Sequence, residues 1–342
     1  LKEGLLRKLI LGVLVGGLGI SAQAQADPAA FYSGKTITLV NGGGAGGGST
    51  VYTQVLAPLM QKYMPGQPAV VVQYMPGAGG ARAANFVYSA ADQDGTVLLR
   101  PLQELPLWGL LGTSGLRYDA ARFQYLGGAY VSRSTISVMK SFTKVRTIED
   151  AKRTEVIVAA GGKASQPYMY PTLANALVGT KFKLVMGYPG TGAMNLAMER
   201  GEVQGRAGSW NSFKGAMPHW VAKDMLANLA VIGPDREPSL PDVPLLTEFI
   251  SDQADLAIMQ IVAETALFAH AWVAPPGVPA DRVAALREAF AKAVNDPETI
   301  AQMKKRGADL TFVPWQTQQQ SVQKLLKIDR KSIARLRKIL DL

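Results

Sequence analysis

The chain has no cysteine and only two histidines, His219 and His270, in 342 residues. The missing thiols exclude a cysteine nucleophile, a zinc–thiolate site, an iron–sulfur cluster and a disulfide framework. The histidines lie far apart and in no ligand spacing, so no metal site is expected. No GxSxG nucleophile elbow occurs. With two isolated histidines, a Ser-His-Asp set is hard to build, which disfavours the main rival reading, an exported hydrolase or transferase. No cofactor is expected.

Long apolar runs are scarce too. The single one covers 9–20, behind Lys2, Arg7 and Lys8 and ahead of Ala24-Gln25-Ala26. A basic start, a short apolar core and small residues at the cut describe a signal peptide over 1–26. Twelve residues are short for an anchor helix, since a bilayer span needs about twenty. The expected location is therefore the periplasm.

Apolar residues make up 48% and charged residues 18%, the composition of a globular chain long enough for two domains. Net charge is +10, of which +8 remains beyond residue 26. Such a balance attracts anions. Part of it sits in one basic segment, with Lys324, Lys327, Arg330, Lys331, Arg335, Arg337 and Lys338. There Val322, Leu326, Ile333, Leu336 and Leu340 keep three-to-four spacing. This reads as a surface helix packed through one face, and no nucleic-acid partner is expected.

Strand-like and helix-like stretches alternate. Strands are predicted over 36–40 and 69–73, a helix over 50–63 and another up to Ser89. The pattern restarts with strands over 155–160 and 182–186 and helices over 168–178 and 193–200. Later come a strand over 270–274 and a helix from 280 to 293. This βαβα order, twice, implies parallel-rich sheets covered by helices.

Between strand and helix, Gly42-Gly43-Gly44-Ala45-Gly46-Gly47-Gly48-Ser49-Thr50 contains GxGxxG. A dinucleotide site also needs an acid about twenty residues on, at the end of the second strand. Here no Asp or Glu lies between Thr50 and Asp92. The same run fits a phosphate loop except at its lysine, where Gly48 stands. What remains is general: a glycine turn at a helix N-terminus offers free N–H groups to an anion. Ser49 and Thr50 add hydroxyls or cap the helix. Similar turns recur at 76–80, 162–166 and 188–192, and in open α/β folds such turns gather at the carboxyl ends of the sheets.

Several longer stretches carry a family resemblance: Gln73-Tyr74-Met75-Pro76-Gly77-Ala78-Gly79-Gly80, Asp94-Gly95-Thr96, Gly187-Tyr188-Pro189-Gly190, Leu240-Pro241-Asp242-Val243-Pro244 and Trp272-Val273-Ala274-Pro275-Pro276-Gly277-Val278-Pro279. Through them the chain resembles the Bug receptors of tripartite tricarboxylate transporters over essentially all of 27–342. The resemblance implies an α/β, type II periplasmic-binding-protein fold, with two lobes joined by a two-strand hinge and an interlobe ligand cleft. By this reading lobe 1 is 27–128 with 246–342, and lobe 2 is 129–245. It implies a small organic anion as ligand (a di- or tricarboxylate, or an aromatic or amino acid). The first reading is a receptor that does no catalysis and hands this anion to membrane permease subunits. The alternative is a binding protein that serves a sensor instead of a permease, and a monomer is the simplest expectation for a shuttle. Carried over by position, the contacts are Gly46, Gly47, Ser49, Thr50, Gly77 and Ala78 from the first lobe, and Ala164, Ser165, Tyr188 and Gly192 from the second. The chain departs from the pattern at Val51 and Gln204, where an Asp is frequent. Arg206, at the end of a predicted strand, is a candidate partner for a second carboxylate, and Trp210 a candidate apolar wall.

Overall fold

The structure, a computed structural model, describes residues 27–342 apart from Gly47 and Ala164. The expected leader over 1–26 lies outside the described residues. The strands in chain order are β1 (Thr36–Asn41), β2 (Ala69–Tyr74), β3 (Val97–Arg100), β4 (Gln124–Gly128), β5 (Ser134–Met139), β6 (Val156–Ala159), β7 (Phe182–Val185), β8 (Gly205–Ser209), β9 (Leu226–Ile232), β10 (Trp272–Ala274) and β11 (Val313–Pro314). They form two sheets, ordered β11-β4-β10-β3-β1-β2 and β7-β6-β8-β5-β9. β1 is parallel to β2 and β3, and β6 to β7 and β8. β10 and β5 bring antiparallel pairing into the two sheets.

The chain passes between the sheets twice, over 129–133 and over 233–271. The two crossings are tied where the Ser132 N–H donates to the Ala266 carbonyl at 3.0 Å. Each sheet carries its own core. Ile37, Leu39, Leu98 and Trp272 pack with Leu56, Met60 and Phe290 on the first. Ile136, Val138, Val156 and Val158 pack with Leu173 and Leu229 on the second. Every residue of β5 and β8 is buried, as expected of strands with both faces covered. β2 is an edge strand whose residues alternate between exposed and half-buried.

The helix following the first glycine turn runs Gly48–Tyr63 and starts two residues earlier than its pattern suggested. It buries Val51, Tyr52, Val55, Leu56, Leu59 and Met60, the i, i+4 stripe of a helix lying on a sheet. The strand expected over 270–274 begins only at Trp272. His270 takes φ +51°, a left-handed value incompatible with a strand.

Two tail segments differ from the expected division. Leu246, Ile258, Met259 and Val262, with Leu336 and Leu340, share the core of Ile136, Val158 and Leu173. Apolar spacing marks a buried face but does not say which sheet it meets. The basic segment is two helices, Trp315–Leu325 and Arg330–Ile339. Asp329 starts the second by accepting from the N–H groups of Lys331 and Ser332 at 2.9 and 3.0 Å, a standard N-cap. The break turns Leu326 out to 52% exposure, off the stripe to which its spacing assigned it. Among the described residues no helix is long and apolar enough to cross a membrane.

The central strand of the second sheet tests this packing. A methyl group at Gly205 would sit 2.3 Å from the Ser137 carbonyl oxygen and 2.8 Å from the Val138 side chain. Gly205→Ala should lower unfolding free energy by about 1–3 kcal/mol, the usual range for overpacking, as read by urea denaturation.

Candidate functional site

β1, β2, β6 and β7 each end in one of the four glycine turns, and the structure gathers all four around one cavity of about 170 Å³ between the sheets. The turns meet backbone to backbone. A Cβ on Gly190 would lie 3.1 Å from the Gly44 Cα, and one on Gly162 would lie 2.9 Å from the Gly79 N. A Cβ on Gly192 would lie 2.9 Å from the Ala45 carbonyl oxygen. These glycines are therefore required by contact between the lobes, which the sequence reading had credited only with N–H donors. Ala78 takes φ +46° without being glycine, one strained position in the turn after β2.

Of the residues selected from sequence, Ser49, Gly77, Ala78, Ser165 and Tyr188 line the cavity. Gly47 and Ala164 lie outside the described residues. Gly46 and Gly192 face each other across the lobe contact. Thr50 accepts the Gly46 N–H at 3.0 Å through Oγ1, so its hydroxyl closes the turn. The Ser165 hydroxyl donates to the Gly162 carbonyl at 2.8 Å.

Arg206 and Trp210 are corrections. Arg206 is fully buried away from the cavity. Its Nε donates to Asn195 Oδ1 at 2.8 Å, and its guanidinium carbon lies 3.8 Å from the Phe213 ring centre. Burial without an acidic partner lowers its pKa to about 9. Trp210 is core, packed with Phe213 and Trp220, and its Nε1 donates to Ser239 Oγ at 2.9 Å. β8 runs Gly205–Ser209 and its carboxyl end, Ser209, reaches the cavity, whereas Arg206 lies near its start. Gln204 is structural: its Oε1 accepts the Ile157 N–H at 2.9 Å and its Nε2 donates to the Phe142 carbonyl at 3.0 Å.

The charged groups of the cavity are ones the sequence reading passed over. Arg100 ends β3 and is 6% exposed; Glu104 is 1% and His270 4%. Arg100 Nη2 donates to His270 Nδ1 at 3.0 Å, which puts the imidazole proton on Nε2. Burial, then the neighbouring Arg100 charge, pushes the His270 pKa well below its usual value. The imidazole is neutral and leaves the guanidinium charge uncompensated. Arg100 Nε and Nη1 make no hydrogen bond among the described residues. Burial lowers the Arg100 pKa only to about 10, partly offset by Glu104, so it is a cation at neutral pH.

His270 is held from behind. The Tyr52 ring stacks on it, with ring centres 3.5 Å apart and planes 12° apart. The Tyr52 hydroxyl donates to the Asp309 carbonyl and accepts from the Asn211 amide. Asn211 follows β8, so this bond spans the lobes. Beside it the Asp309 N–H donates to Asn211 Oδ1 at 2.7 Å, and Lys214 Nζ meets Asp309 Oδ2 at 2.6 Å.

Glu104 sits between β3 and the helix Leu105–Leu110. Its Oε1 makes no hydrogen bond among the described residues. Burial raises its pKa from 4.5 to about 7, against hydrogen bonds from its own backbone N–H and the Gln166 side chain and the charge of Arg100. The sign follows from linkage. Between pH 4.5 and 7 the unfolded chain has lost this proton while the folded chain keeps it, so stability falls as pH rises through that window. The full cost above pH 7 is about 3 kcal/mol at 1.36 kcal/mol per pKa unit. Glu104→Gln should therefore match the wild type in melting temperature near pH 4 and exceed it at pH 8.

No family model matches the chain, and no curated protein matches it. Solved structures do. BugD, a periplasmic binding protein, is 20% identical with a TM-score of 0.69, over 91% of this chain and 99% of its own. MatC from Rhodopseudomonas palustris, determined with malate, is 20% identical with a TM-score of 0.65, over 90% and 99%. A further R. palustris protein, determined with adipate, is 18% identical with a TM-score of 0.67, over 90% and 98%. The two sheets, their double crossing and the cavity between them are thus the two-lobe α/β fold of periplasmic binding proteins.

Proposed function

We propose that this protein is an exported receptor that captures a small carboxylate between its lobes and delivers it to a membrane permease of the tripartite type. The observation that carries the reading is Arg100. It is a buried, protonated guanidinium with two nitrogens that have no partner among the described residues, on a cavity lined by the four glycine turns together with Glu104 and the neutral His270. A desolvated arginine fork matches a carboxylate in charge and in geometry. Three fold neighbours add to the case, since one is a named periplasmic binding protein and two were determined with malate and adipate.

Size agrees with the charge. A cavity of about 150 Å³ holds a six-carbon ring, so 170 Å³ suits a small organic acid. The mechanism is lobe closure: the ligand enters with the lobes apart, and closure surrounds it with turns from both. No catalytic step is needed. The one imidazole on the cavity among the described residues is neutral and spends Nδ1 on Arg100. The basic leader-like start supports export, and a monomer is the simplest state for a carrier.

A thermal-shift screen with C4 to C8 acids, citrate and neutral sugars tests this reading. A binder at 100 times its Kd should add about 2.7 kcal/mol of stability. Arg100→Gln should weaken the best acid about 30-fold or more, the usual loss on truncating a buried charged partner being about 2–5 kcal/mol. Stabilisation by sugars alone would defeat the carboxylate reading. Gly192→Ala, whose methyl meets the Ala45 carbonyl, should fold normally yet bind the same acid at least tenfold more weakly.

A further inference from the structure

The cavity holds two opposite charges that do not meet. Arg100 presents Nε and Nη1, and Glu104 presents Oε1, with no hydrogen-bond partner among the described residues for any of these atoms. Both side chains are more than nine-tenths buried and both line the cavity. Among the described residues no ion pair joins them, although each acts on the other through space. Buried donors and acceptors left unpaired are costly, more so when charged, so the two ends call for a ligand that answers both.

We propose that the carboxylate ligand is zwitterionic: a small amino acid whose carboxylate meets Arg100 and whose protonated nitrogen meets Glu104. This rests on the receptor reading above. Arg100 is the only Lys or Arg side chain among the described residues lining the cavity. A dicarboxylate would answer Arg100 with one end and would then bring its second negative charge into a cavity that already holds Glu104. Like charges in a desolvated space are costly, and that ligand would bind only after Glu104 took up a proton. An ammonium end reverses the sign. It forms a charge-assisted hydrogen bond to Oε1 and keeps Glu104 ionised. The remaining groups facing Glu104 are neutral, namely the Gln166 amide and the hydroxyls of Tyr118 and Tyr170, which burial holds protonated.

The experiment is titration calorimetry at pH 8 with two matched series. Leucine, glutamine and 5-aminopentanoate form one; malate, adipate and 4-methylpentanoate form the other. The expected result is that the best amino acid binds the wild type at least tenfold tighter than the best acid without nitrogen. Glu104→Gln should weaken that amino acid at least tenfold and tighten the diacids, and Arg100→Gln should weaken both series. Diacids binding the wild type tighter than every amino acid would overturn the proposal and leave the carboxylate receptor standing. A preference for amino acids that survives Glu104→Gln unchanged would overturn the role given to Glu104. If neither series binds, the carboxylate reading itself falls, and this proposal with it.

Discussion

The whole site depends on main chain touching main chain across two lobes. Where Gly44 meets Gly190, Gly162 meets Gly79 and Gly192 meets Ala45, no side chain fits between. Removing side chains from the contact lets four turns, each at the carboxyl end of a strand, converge on a space of 170 Å³. Residues one or two positions away then supply the chemistry. Wider spacing would leave Arg100 and Glu104 in water. The close approach is what keeps both groups desolvated.

Burial also sets the division of labour among the ionisable groups. Arginine resists losing its proton even when desolvated, so Arg100 stays charged at neutral pH. Histidine does not, so His270 becomes a neutral acceptor that orients the fork without cancelling it. Glutamate is caught between, with a pKa near neutrality. One environment thus yields a fixed charge, a fixed dipole and a titratable group, the kind of pKa separation by which functional sites are recognised.

Much of this architecture was legible in the sequence. The βαβα order, the glycine turns and their gathering at strand ends follow from local pattern, and Ser49, Gly77, Ala78, Ser165 and Tyr188, selected from those turns, line the cavity. The charged wall was not legible, because Arg100 and Glu104 lie outside the glycine turns, at the end of β3 and just beyond it. Arg100 closes the apolar strand Val97–Arg100, and a charge at the carboxyl end of a buried parallel strand is the signal that would have found it. Arg206 looked similar, but it lies near the start of β8. Its guanidinium is taken up by Asn195 and the Phe213 ring, which no spacing rule reveals. Residues 246–342 were assigned to the first lobe, yet the helix Gln253–Glu264 and the final helix share a buried cluster with Ile136 and Val158 of the second sheet, because amphipathic spacing specifies a face without naming its partner.

His270 is subject to two filters at once. Its φ of +51° penalises most side chains by roughly 1–3 kcal/mol, and Gly, Asn, Asp and His tolerate that conformation best. Its place beside Arg100 demands a hydrogen-bond acceptor, which glycine lacks. Aspartate would accept but would also neutralise the guanidinium. The residues that pass both filters are histidine and asparagine, and histidine alone offers a ring for Tyr52 to stack on. Backbone geometry and ligand electrostatics, usually separate pressures on a sequence, here narrow a single position to nearly one letter.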